Sequence, residues 1–161
     1  SRIEAGFIAA YVDFLPADVT VRSGRSRSPL ELGLDWLVDF KKPNFNGRRA
    51  LAEEKRKGSP WQLVKLDIEG NKPAHHSYVY ASPKSKKEVG FITSAVWSPV
   101  CKQNIALGTV RSPHGKAGEK LYVEVYYQRE MHWSRVMAEA TVVDKPFWDP
   151  PRKRATPPGP F

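Results

Sequence analysis

Lys120-Leu121-Tyr122-Val123-Glu124-Val125-Tyr126 sets Leu121, Val123 and Val125 against Tyr122, Glu124 and Tyr126. Successive side chains of a strand point to opposite faces, so this alternation predicts a strand with one side in a core. Five more stretches of the same texture lie around it, at 61–69, 77–81, 89–97, 104–111 and 133–143. Turn-forming runs at 70–73, 83–86 and 112–118 separate several of them. About six short strands without intervening helices predict a closed or sandwiched antiparallel sheet.

Upstream the texture differs. Residues 47–57 form the body of an expected helix, capped by Asn44 or Asn46 and stopped by Gly58 and Pro60. Residues 36–40 suggest a strand. Pro29 can open a short helix, because its missing N–H is harmless in a first turn. Residues 22–29, with Arg22, Arg25 and Arg27, read as a loop. Residues 1–14 suggest a helix end at Gly6 running into a buried segment. Downstream, 145–161 is Pro-rich and basic, and predicts an extended tail anchored by Phe147 and Trp148.

Composition narrows the classes. Of 161 residues, 40% are hydrophobic and five are tryptophan, which argues against disorder. A net charge of +9 fits either a solvated basic surface or an anionic partner. The tyrosines at 122, 126 and 127 do not interleave with clustered Lys or Arg, which argues against a nucleic-acid platform. Cys101 is the single cysteine, so no internal disulfide is possible. No run approaches the ~18 apolar residues of a membrane helix. The usual phosphate loops and nucleophile turns are missing. The four histidines do not fall at metal-ligand spacing. No catalytic residue and no metal site is therefore expected. Arg2 and Glu4, in an apolar stretch, suggest an ion pair or a guanidinium that recognises a carboxylate.

Arg2-Ile3-Glu4-Ala5-Gly6 resembles the Arg-Leu-Glu-Ala-Gly motif of the glycine-cleavage T-proteins, the aminomethyltransferase family. Ser28-Pro29-Leu30-Glu31-Leu32-Gly33-Leu34, Phe45-Asn46-Gly47-Arg48-Arg49-Ala50-Leu51 and Val89-Gly90-Phe91-Ile92-Thr93-Ser94-Ala95 resemble further motifs of that family in the same order. Ser98-Pro99, Ile105-Ala106-Leu107-Gly108 and Pro146-Phe147-Trp148-Asp149-Pro150 extend the likeness to the end of the chain. The Tyr-Gly of many relatives is shifted here to Tyr11-Val12-Asp13.

The resemblance implies a mostly β fold: a six-stranded antiparallel β-barrel over 61–148, preceded over 1–60 by a short α/β connector from the end of a folate-binding region, and followed by the tail at 149–161. It implies the C-terminal part of a tetrahydrofolate-dependent aminomethyltransferase or methyltransferase, glycine-cleavage T-protein-like or a demethylase, with the catalytic residues elsewhere. The abrupt start at Ser1 agrees with a fragment, a processed chain or a piece of a longer protein. Arg2 is the implied holder of folate's glutamate or benzoyl end, with Glu4 orienting it. Tyr11, Arg152 and Arg154 are further implied cofactor contacts. Implied partners are a small one-carbon donor and a lipoyl carrier protein or N-terminal partner chain. The implied location is the cytoplasm, or the mitochondrial matrix in a eukaryote. The alternative is a non-catalytic interaction module that keeps the barrel for docking.

Overall fold

The computed structural model describes residues 2–20, 26–153 and 155. Six strands follow one helix: α1 (Arg48–Lys57), then β1 (Trp61–Ile68), β2 (Tyr78–Tyr80), β3 (Glu88–Ser98), β4 (Gln103–Arg111), β5 (Lys120–Arg129) and β6 (His132–Val143). They close into a barrel in the order β1-β4-β3-β2-β5-β6. Every neighbouring pair is antiparallel, including the β1–β6 pair that closes it. The fold is therefore the mostly β, six-stranded barrel of the expectation, and the sandwich alternative falls.

Alternation explains the core. Val64, Leu66 and Ile68 of β1 meet Leu121, Val123 and Val125 of β5, Ala138, Ala140 and Val142 of β6, and Ile92 and Val110 inside. Burying each large aliphatic side chain contributes about 1.5–3 kcal/mol. β4 breaks the alternation because it is covered on both faces. Its outward residues Ile105 and Leu107 pack under Ile3, Ile8, Val96 and Phe147. Ile3 and Ile8 near the start of the chain and Phe147 near its end thus share one bed on the outside of the barrel.

Local signals decide the connector. Ser28 and Glu31 cap each other: the Ser28 N–H donates to Glu31 Oε2 at 3.0 Å, and the Glu31 N–H to Ser28 Oγ at 3.1 Å. Pro29 does open a turn there. It ends at once at Gly33, with φ +68°, where the Leu34 N–H reaches the Pro29 carbonyl and the Gly33 N–H the Leu30 carbonyl. Arg27 lies over the Trp61 ring at 4.7 Å, while Arg22 and Arg25 lie outside the described residues.

Two expectations are corrected. Residues 36–40 are not a strand: 35–37 form a short 3-10 turn with Trp36 and Leu37 exposed. Apolar character there does not report burial within this chain. Neither Asn44 nor Asn46 caps α1. Gly47 takes the N-cap position with φ +87° and no side-chain bond. The Arg48 guanidinium instead donates to the carbonyls of Phe40 and Lys42 and ties the preceding loop to the helix start.

Candidate functional site

The site begins with a helix-like turn. The Gly6 N–H reaches the Ile3 carbonyl at 3.0 Å and the Phe7 N–H the Arg2 carbonyl at 2.8 Å, with Gly6 at φ +73°. This is the closing pattern of a helix end, which only glycine adopts without penalty. The chain then doubles back so that Asp13 lies beside Arg2. Arg2 Nη1 donates to Asp13 Oδ2 at 2.7 Å and to the Phe7 carbonyl at 3.1 Å; Nη2 donates to Ser94 Oγ at 2.6 Å. Asp13 also accepts from the Ala9 N–H at 2.8 Å and from the hydroxyls of Thr93 at 2.5 Å and Ser94 at 2.7 Å.

The Asp13 side chain is fully buried, whereas 34% of the Arg2 side chain remains exposed. Burial alone pushes the Asp13 carboxyl up. The Thr93 and Ser94 hydroxyls, the Ala9 N–H and the Arg2 charge outweigh it, so the group is held below the ordinary aspartate value.

Glu4 serves a different contact. Ser98 Oγ donates to Glu4 Oε1 at 2.5 Å and accepts from the Cys101 N–H at 3.1 Å. The Ser98 hydroxyl is the main cause holding the Glu4 carboxyl low. The carboxylate that pairs with Arg2 is therefore Asp13, which corrects the expectation that Glu4 orients it. The Glu4 carbonyl in turn accepts from the Trp148 N–H at 3.0 Å, which pins the tail beside the first motif. Phe147 anchors in the apolar bed as expected, and the Arg152 guanidinium stacks on Trp148 at 5.4 Å. Arg154 lies outside the described residues.

Tyr11, at φ +67° and mostly exposed, stands at the rim of a cleft of about 360 Å³. Asp13, Phe14, Arg27, Phe91 and Thr93 line it too. Arg27 is the guanidinium in that lining, and Arg2, outside it, is tied to it through Asp13. A cationic side chain among Tyr11, Phe14 and Phe91 suits a ligand with a carboxylate and a flat ring. Sequence reasoning singled out Arg2 and Tyr11 but assigned no role to Asp13, Thr93 or Ser94. The one available signal was the hydroxyl pair Thr93-Ser94 inside an otherwise apolar strand.

Beside the site the connector shows water an apolar face. Phe7 is 68% exposed, Trp36 75% and Leu37 61%. Phe7 and Trp36 line the same groove, with Leu32, Leu63 and Pro146.

Residues 62–149, more than half of the chain, match the glycine cleavage T-protein C-terminal barrel domain. The chain is similar to the aminomethyltransferase of Thermosynechococcus vestitus, with 40% identity over 129 residues, 80% of this chain and 32% of that protein. It is similar to the aminomethyltransferase of Desulfitobacterium hafniense, with 43% identity over 101 residues, 62% of this chain and 27% of the relative. The chain thus spans about a third of the length of these curated relatives. The crystal structure of the glycine cleavage system aminomethyltransferase T from Bartonella henselae shares the fold, with TM-score 0.72 and 21% identity over 91% of this chain and 37% of that one.

Proposed function

Because the chain belongs to the glycine cleavage T-protein family, we propose that it is the C-terminal part of a tetrahydrofolate-dependent aminomethyltransferase. In this reading 61–148 is the family barrel, and 1–60 ends the folate-binding region and connects the two. The observation that carries the reading is the state of Arg2. It sits in the Arg-Ile-Glu-Ala-Gly motif, is fixed by Asp13 and Ser94, and keeps a third of its side chain open.

Tetrahydrofolate, when bound, supplies the nitrogen that carries the one-carbon unit; the protein supplies orientation and electrostatics. Arg2 would hold the glutamate carboxylate of the cofactor. Tyr11 would pack against an aromatic part of it, and Arg152 would add positive charge near the tail. Glu4, tied to Ser98, holds the turn in place. The exposed face of Phe7, Trp36 and Leu37 would seat against the remainder of the folate-binding region, where the catalytic carboxylate resides in this reading. A small one-carbon donor and a lipoyl carrier protein would then be the partners, in the cytoplasm or the mitochondrial matrix.

Replacing Arg2 by alanine in the intact protein tests this. Calorimetric titration should show tetrahydrofolate binding weakened by about 1.5–3 kcal/mol, the range for hydrogen bonds to charged groups. Unchanged affinity would remove Arg2 from the cofactor site. A wild-type protein that binds no tetrahydrofolate would favour the interaction-module alternative.

A further inference from the structure

We infer that Asp13 is a positioning residue that aims the Arg2 guanidinium at a ligand carboxylate, and that a one-residue bulge in β3 serves to hold Asp13. The inference rests on the cofactor reading of Arg2 above.

The bulge is visible in the register. Ile92 stands opposite Gly108 and Ser94 opposite Leu107, so Thr93 is an extra residue on β3. In a regular strand Thr93 and Ser94 would point to opposite faces, and one hydroxyl would enter an apolar barrel. Here both hydroxyls reach the same oxygen, Asp13 Oδ1, at 2.5 and 2.7 Å. Ile92 and Ala95, on either side, still face the core. Bulges re-aim side chains in this way, one residue at a time.

The other carboxylate oxygen is left for the Ala9 N–H and for Arg2 Nη1. Ser94 links the two halves: its hydroxyl donates to Asp13 and accepts from Arg2 Nη2. These contacts and the Phe7 carbonyl occupy three of the five guanidinium N–H donors. The flexible arginine is thereby fixed before any ligand arrives, which lowers the ordering cost of binding.

Charge and geometry make opposite forecasts, and this makes the inference testable. Asp13→Asn removes a negative charge next to Arg2. On Coulomb attraction alone, an anionic ligand should bind more tightly. If Asp13 acts by positioning, the ligand should bind more weakly, and only when Arg2 is present.

The experiment is a double-mutant cycle of Asp13→Asn and Arg2→Ala in the intact protein. Each form is titrated with tetrahydrofolate and with tetrahydropteroate, which lacks the glutamate. Asp13→Asn should weaken tetrahydrofolate binding tenfold or more and leave tetrahydropteroate within twofold. The same change in the Arg2→Ala background should add less than twofold. Near-UV circular dichroism establishes that each variant is folded. If Asp13→Asn does not fold, Ser94→Ala takes its place, with an expected loss of threefold or more that again requires Arg2. Unchanged or tighter tetrahydrofolate binding overturns the inference, as does an equal loss without Arg2 or an equal loss for tetrahydropteroate. In those cases the cofactor reading stands as long as Arg2→Ala itself weakens tetrahydrofolate. Absence of tetrahydrofolate binding by the wild type overturns both.

Discussion

Gly90→Ala is expected to lower the unfolding free energy by about 3 kcal/mol or more, the upper range for overpacking a core. A Cβ added at Gly90 would lie 2.2 Å from the Thr109 carbonyl oxygen and 2.8 Å from Val110 Cα. These are backbone atoms of the neighbouring strand, so no side chain can swing away. Gly90 pairs with Val110 in the β3–β4 ladder, just before the bulge. A buried glycine at such a place lets the sheet coil tightly enough to close. Gly108, on β4, would place its Cβ 2.9 Å from the Phe91 carbonyl oxygen and is less crowded elsewhere. Gly108→Ala should therefore cost less than Gly90→Ala. Urea unfolding of both variants checks the ranking. A loss below about 1 kcal/mol at Gly90 would mean that β3 and β4 can separate without opening the barrel.

The same pair of strands shows what a sequence can reveal. Leu121, Val123 and Val125 announce β5 because they face the core while Tyr122 and Tyr126 stay more exposed. Glu124 between them is buried by Tyr80, Tyr126 and Arg135 without breaking the apolar alternation. β4 is buried on both faces from Asn104 to Val110, and alternation is lost. Its second cover comes from Ile3, Ile8 and Phe147, far away in the chain. Closure followed from the family resemblance, whereas the strand pattern alone left barrel and sandwich both open. It depends on β1 pairing with both β4 and β6, and nothing local to 61–68 specifies those partners. Trp36 and Leu37 misled the reading for the converse reason: they are apolar yet face water in this chain.

At the site the limit is again sequence distance. Arg2 was legible through its motif. Asp13 was not, since its hydroxyl partners lie 80 and 81 residues away. The bulge that brings them together is a property of strand pairing, which single-strand periodicity does not report. The Ser28–Glu31 capping box, by contrast, needs only three residues of separation and was available as a Ser-x-x-Glu pattern.

Asp13→Ala carries the second large expected effect, a loss of about 3–5 kcal/mol in stability, the range for removing one partner of a buried ion pair. The Arg2 charge keeps some access to water, which places the value toward the lower end. The Ser94 hydroxyl and the Ala9 N–H lose their acceptor at the same time, and the Thr93 hydroxyl keeps only the Leu107 carbonyl at 3.1 Å, which adds to it. Thr93→Val removes one of these bonds and should cost about 1 kcal/mol.

The pH dependence separates lost charge from lost packing. Asp13 has its folded pKa below its unfolded value. Its contribution is therefore present above the unfolded aspartate pKa of about 3.9 and disappears as pH falls through the lower, folded pKa. Wild type should lose stability steeply below about pH 4, and Asp13→Ala should lose less over the same interval. The two stability curves should then converge in acid and stand furthest apart near neutral pH. Parallel curves from about pH 2 to pH 7 would mean that Asp13 acts by filling space, and its ionised carboxylate would then add nothing to the hold on Arg2.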